Sequence, residues 1–127
     1  MAQKLATEYD VVVCGAGPAG LKAAYTLSSV SQGHCRIALL DRKEPWREPV
    51  ACAEAVSKRA LERYWPVNES WIRQHIDGLY FTSPDGTRVD FVEKDCGFIL
   101  NRAEFHRDMA EKVQKNGVHC HFATDCR

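Results

Sequence analysis

The chain has 127 residues, with 17 Lys plus Arg balanced by 17 Asp plus Glu, so its formal net charge is zero. That excludes the basic excess of an electrostatic nucleic-acid binder, and the length suits one small domain or a piece of a larger protein. A hydrophobic fraction of 45% is ordinary for a globular chain, and no apolar run approaches the ~18 residues of a membrane span.

The N-terminus, MAQKLATEYD, lacks the apolar core of a secretory signal, so a cytoplasmic setting is expected. In that setting the six cysteines (14, 35, 52, 96, 120 and 126) are expected to be reduced. None are spaced as CxxC. Cys14 and Cys35 fall in apolar patterns, where cysteine acts as a small hydrophobe.

YDVVVC (9–14) is a β-branched run without a polar break, the pattern of a buried parallel strand. GAGPAG follows at once, and LKAAYTLSS then reads as a helix with Gly33 in the turn behind it. CRIALLD (35–41) is a second buried strand. Gly15-x-Gly17-x-x-Gly20 therefore lies between a strand and a helix inside a β-α-β unit, the setting that gives this pattern meaning. Gly15 allows the tight turn, Gly17 lets a pyrophosphate approach the backbone, and Gly20 lets the helix pack closely. Pro18 suits the first helical turn, whose free N–H groups and positive dipole end face an anion. Asp41 ends the second strand about twenty residues on, where an acid accepts hydrogen bonds from a ribose. The same acid would repel the 2′-phosphate of NADP. Arg42 beside it reads equally as an adenine contact or as surface charge.

Residues 42–56 read as irregular, punctuated by Pro45 and Pro49. Ser57 can cap a short helix, KRALERYW, stopped by Pro66. Two alternating runs flank SPDG (83–86), a hairpin signal, and CGFIL follows as a short apolar strand. Asn101 with Glu104 makes a capping box. The helix behind it runs to about Asn116, with Phe105, Met109 and Val113 inward and Gly117 as its stop. VHCHFAT reads as one more strand, with His119 and His121 on one face and Cys120 on the other. The fold class is thus α/β: a Rossmann-like βαβ unit with an inserted β-hairpin. Residues 1–127 are expected to be the incomplete N-terminal part of an FAD/NAD(P)-binding domain, because a doubly wound fold needs further strands.

YDVVVCGAGPAGLKAAYTL, LLDRKEP, PVACAEAVSKRALE and GFILNRAEFHRDMAEK together resemble the N-terminal part of geranylgeranyl reductases. These are FAD-dependent flavoproteins of the p-hydroxybenzoate hydroxylase-like fold. The resemblance covers nearly all of this chain and about the first third of such a protein. It implies FAD as cofactor, bound through Gly15, Gly17, Gly20, Asp41 and Arg42. It also implies that Cys52 and Ala53 lie beside the flavin, with Ala55 near it and Arg102 reaching the cofactor from the start of its helix. Cys126 matches a position whose backbone meets the adenine. Ala55 stands where the family has glycine, Ala51 where it often has arginine, and His106 where it has aspartate.

The implied activity is reduction of isoprenoid C=C bonds, with a reduced nicotinamide or a ferredoxin-type protein as electron donor and peripheral contact with a membrane. An aromatic hydroxylase or halogenase of the same fold, a non-catalytic truncated nucleotide-binding module and an NAD-dependent dehydrogenase are the alternatives. The family's later Gly-Asp motif is not in this sequence, so residues 1–127 alone are expected to be inactive and poor at holding flavin. For Cys52, a packing role against the flavin and a nucleophilic role both remain open, since activation needs a nearby base or cation and only Arg47 is near in sequence.

Overall fold

The computed structural model describes residues 8–44, 46–47 and 51–126. The chain divides into two compact units, 1–50 with 103–127, and 51–102.

The first unit is built on a parallel sheet in the order β1-β2-β6 (β1 Val11–Cys14, β2 Ile37–Leu40, β6 His119–His121). Val11 pairs with Ile37 and Cys14 with Leu40, while Ala38 pairs with His119 and Leu40 with His121. All four residues of the central strand β2 are buried, which explains its unbroken apolar run. β1 differs from its expected burial on both faces. Its residues alternate, with Val12 49% exposed and Cys14 exposed. β1 is an edge strand among the described residues, so one face lacks the cover that β2 has.

Helix α1 (Pro18–Ser31) starts with Gly17 as N-cap and Pro18 in its first turn, and it buries Leu21, Ala24 and Ser28 along one stripe. Helix α3 (Arg102–Lys115) buries Phe105, Met109 and Val113 as its periodicity requires, and His106 and Ala110 as well. Asn116 ties its end to α1, donating from Nδ2 to the Ser29 hydroxyl at 3.0 Å and accepting at its carbonyl from the Ser28 hydroxyl. At the start of α3, the Asn101 N–H donates to the Trp71 carbonyl at 2.7 Å, and Glu104 pairs with Arg107 at 2.5 Å, one helical turn on.

The second unit is antiparallel, in the order β3-β5-β4 (β3 Ala55–Ser57, β4 Ile72–Thr82, β5 Arg88–Leu100). β4 and β5 form the expected hairpin across Ser83–Thr87, where the Ser83 N–H donates to the Thr87 carbonyl at 2.9 Å. CGFIL is not a separate strand but the end of β5, which continues through Asp95 at φ 55. β3, within the stretch read as irregular, pairs Ala55 with Ile99 and Ser57 with Gly97. Three residues are too few to show an alternation in sequence. Helix α2 (Lys58–Tyr64) is capped by Ser57, whose hydroxyl accepts from the Ala60 N–H. Trp71, Phe98, Leu61 and Leu100 are buried. The outer hairpin sets Leu79 opposite Phe91 and Phe81 opposite Val89 on one face, all four exposed.

Candidate cofactor site

In the first unit the glycine loop leaves β1 at its carboxyl end and turns into α1. Gly15 has φ +103, a conformation that disfavours side chains, and its N–H donates to the Leu40 carbonyl at 2.7 Å. The turn constrains Gly15 through its backbone angle, since a Cβ there would meet nothing within 4 Å. Crowding falls on Gly20, where a Cβ would stand 1.8 Å from the Gly15 carbonyl oxygen and 3.6 Å from Val13 Cγ1. The helix therefore packs on the loop as closely as the motif requires. At Gly17 a Cβ would project into open space, on the side where the N–H groups of the first turn of α1 are exposed to an incoming anion.

Asp41 is bound to this loop. Its Oδ2 accepts the Ala16 N–H at 2.6 Å and its Oδ1 accepts the Lys43 N–H at 2.8 Å. Its backbone continues the parallel pairing, with Asp41 N–H donating to the His121 carbonyl and Thr124 N–H donating to the Asp41 carbonyl. Each carboxylate oxygen offers two lone-pair directions, so one on each remains for a ribose hydroxyl. A cavity of about 210 Å³ opens here at the carboxyl ends of the strands, lined by Cys14, Gly15, Asp41, Arg42, Thr124 and Cys126 among others. Cys14 thus faces this cavity instead of acting as an apolar filler. The Cys14 thiol beside it, with burial and the Asp125 and Asp41 carboxylates, raises the Cys126 thiol above its ordinary value. On β6, His119 Nδ1 and His121 Nε2 lie 3.3 and 3.1 Å from the Tyr9 hydroxyl, as their shared face implies. Cys120 points away, and burial pushes its thiol up to about 12. All six cysteines are free.

In the second unit, Ala51, Cys52 and Ala53 are exposed and Glu54 is half-buried. Pro49 and Val50, which open the PVACAEAVS segment, lie outside the described residues, as does Pro45. Cys52 Sγ accepts from Arg102 Nη1 at 3.0 Å and from the Glu54 N–H at 3.3 Å. Sequence proximity pointed to Arg47 as the one cation for this sulfur. Arg47 instead pairs with Glu44 at 2.5 Å, and the cation on Cys52 comes from fifty residues away. Glu54, given no role from sequence, accepts the Arg102 backbone N–H on Oε1 at 3.2 Å and faces Arg73 Nη1 with Oε2 at 3.4 Å. Glu54 lies within the PVACAEAVS segment, but its partners Arg73 and Arg102 are distant in sequence, so the contacts emerge only from the fold. Ala55 opens β3 directly behind this cluster.

A model described as FAD binding domain matches residues 10–71. The chain is 38% identical over 116 residues to the digeranylgeranylglycerophospholipid reductase of Methanocella arvoryzae, covering 88% of this chain and 29% of that protein. It is 39% identical to digeranylgeranylglycerophospholipid reductase 1 of Methanothermobacter thermautotrophicus, covering 89% of this chain and 29% of that one. The chain resembles the FAD-binding portion of geranylgeranyl reductases. It spans under a third of the length of these reductases. A geranylgeranyl bacteriochlorophyll reductase-like protein of Thermoplasma acidophilum superposes with a TM-score of 0.78 at 23% identity, over 91% of this chain and 30% of that one. The halogenase PltM, solved with phloroglucinol and FAD, superposes with a TM-score of 0.66 at 17% identity, over 92% and 28%. The halogenase shares the fold, and the reductases share both fold and sequence. FAD as cofactor, implied by the family resemblance, and the Rossmann-type α/β fold, expected from the βαβ unit, agree with these matches.

Proposed function

We propose that the chain forms the FAD-binding portion of a flavin-dependent oxidoreductase that reduces C=C bonds of a geranylgeranyl chain. The observation that carries this reading is the 38–39% identity to digeranylgeranylglycerophospholipid reductases across almost the whole chain. The open approach at Gly17 and the cavity at Asp41 fit the cofactor.

In the first unit the N–H groups of Ala19 and Gly20, in the first turn of α1 behind Pro18, bind the pyrophosphate, and Gly20 keeps the helix close enough for its dipole to contribute. Asp41 accepts from the adenosine ribose while holding the loop through Ala16, and Arg42 lies on the adenine side. In the second unit Cys52, Ala53 and Ala55 present small side chains to the flavin, and Arg102 adds a positive charge next to the Cys52 sulfur. Bound and reduced, FAD supplies the hydride for addition across the double bond, and the protein supplies binding and orientation. The substrate is an isoprenoid lipid, the electrons come from a reduced nicotinamide or a ferredoxin-type donor, and a lipid substrate brings the protein to a membrane surface. Among the described residues no helix is long and apolar enough to cross one.

The test uses the full-length protein with FAD, reduced without oxygen and mixed with a geranylgeranylated glycerophospholipid. Mass spectrometry should show the lipid gaining two hydrogens per reduced double bond. An unchanged lipid, together with oxygen- and halide-dependent modification of an aromatic substrate, would instead favour the halogenase or hydroxylase reading.

A further inference from the structure

We propose that Glu54 is the positioning residue that brings Cys52 and Arg102 together at the flavin end of the site; the placement at the flavin rests on the FAD reading above. The first observation is its backbone. Glu54 has φ 62, a left-handed conformation that costs a side-chain-bearing residue free energy and is kept where the surroundings demand it. Gly or Asn would enter that region more easily, and the contacts of the Glu54 main chain and side chain hold it there.

The second observation is where that residue reaches. Its N–H donates to Cys52 Sγ at 3.3 Å. Its Oε1 accepts the Arg102 N–H at 3.2 Å at the start of α3. Arg102 Nη1 then returns to the same sulfur at 3.0 Å. Both partners of the cation–sulfur contact are thus attached to Glu54. The residue is itself braced from two other strands: its carbonyl accepts the Leu100 N–H from the end of β5 at 2.9 Å, and Oε2 faces Arg73 of β4 at 3.4 Å. Its side chain is only 19% exposed, which keeps water from competing for these bonds. Arg73 of β4 and the Arg102 N–H thus meet the carboxylate, while Leu100 and Cys52 bond the main chain of the same residue, so Glu54 connects all four.

Two readouts on the full chain separate positioning from a merely structural role. Without FAD, nitrogen-detected NMR of arginine side chains reads the contact directly. A guanidinium held on a sulfur gives resolved Nη–H signals, assigned through Arg102→Lys. These signals are expected in the wild type and in Glu54→Gln, which keeps the Oε1 acceptor, and are expected to vanish in Glu54→Gly. Glycine adopts φ 62 without cost, so that variant loses the carboxylate without added backbone strain. With FAD bound, Glu54→Gly should shift the flavin absorbance and lower kcat between about tenfold and a hundredfold, the effect of small misplacement, at unchanged KM for the lipid. Glu54→Gln should restore most of it. Arg102 signals that are absent from the wild type, or that persist in Glu54→Gly, overturn the proposal. So does a Glu54→Gln variant that unfolds like Glu54→Gly. If the wild type takes no FAD, the functional reading fails while the Arg102 signals still decide the role of Glu54.

Discussion

The glycine loop and the Cys52 cluster organise their surroundings by opposite means. In the loop the backbone does the binding. The N–H groups of α1 are free to meet an anion, Ala16 and Lys43 donate main-chain bonds to Asp41, and three glycines keep side chains out of the way. In the cluster the side chains carry the site: the Arg102 guanidinium donates to the Cys52 sulfur, and the Glu54 carboxylate accepts the Arg102 main-chain N–H. The loop should therefore be damaged mainly by adding atoms and the cluster mainly by removing them.

The largest effect is expected at Gly20. Val there would drive a Cβ to 1.8 Å from the Gly15 carbonyl oxygen, a backbone atom that cannot move without opening the turn. Overpacking of this kind costs roughly 1–3 kcal/mol. Urea denaturation of Gly20→Val should show at least that loss, together with loss of FAD, and an unchanged midpoint would mean the loop is not built this tightly. Next is Asp41→Ala, which removes a charge-assisted acceptor worth about 1.5–3 kcal/mol. FAD titration should then give a Kd about ten- to a hundredfold weaker, and unchanged affinity would remove Asp41 from the site.

Cys52→Ala tests the other half of the comparison. If the sulfur packs against flavin and orients Arg102, FAD stays bound, its absorbance shifts and turnover falls only in part. A fall in kcat beyond about a thousandfold, or roughly 4 kcal/mol of barrier, in both Cys52→Ala and Cys52→Ser would make the thiol a participant in the chemistry.

The glycine loop could be read from the chain because its constraints are local. A strand, a turn and a helix follow one another within residues 11–31, and each glycine answers to neighbours close in sequence. The end of β2 at Asp41 was legible for the same reason. Cys52 and Arg102 were each legible through the family resemblance, but their contact and the part of Glu54 were not, because fifty residues separate them and the three-residue strand β3 that pairs with β5 has no pattern of its own. The exposure of Cys14 escaped notice for a related reason. Its apolar neighbours imply burial, but that depends on what covers β1, which the local sequence does not encode. His119 and His121, by contrast, share a face as strict strand alternation requires, and Tyr9 bridges them.

The smallest effect concerns His75 on β4 of the second unit. His75 lies between Asp95, at 3.1 Å from Nδ1, and Glu69, at 3.2 Å from Nε2, and hydrogen bonds to Asp95 and then Glu69 raise its pKa above 6.5. A raised value means that the folded state holds the proton more tightly than the unfolded one. This contribution is fully present below about 6.5 and is lost as the pH rises through the folded value. The wild type should therefore lose more stability than His75→Gln between about pH 6 and pH 8, with the difference shrinking in high salt. Parallel pH profiles for the two proteins would remove the interaction.

The account depends most on FAD binding through the glycine loop, and Gly17 tests it with the least collateral damage. Gly17 has an ordinary φ of −69, and a Cβ there meets no protein atom within 4 Å, so Gly17→Val is expected to fold as the wild type does. Its side chain would nevertheless fill the space through which the pyrophosphate reaches the backbone. Flavin absorbance and denaturation midpoint, measured together on purified full-length wild type and Gly17→Val, should show an unchanged midpoint and a loss of bound FAD. Full flavin occupancy in Gly17→Val at an unchanged midpoint would contradict the assignment of the loop as the cofactor site.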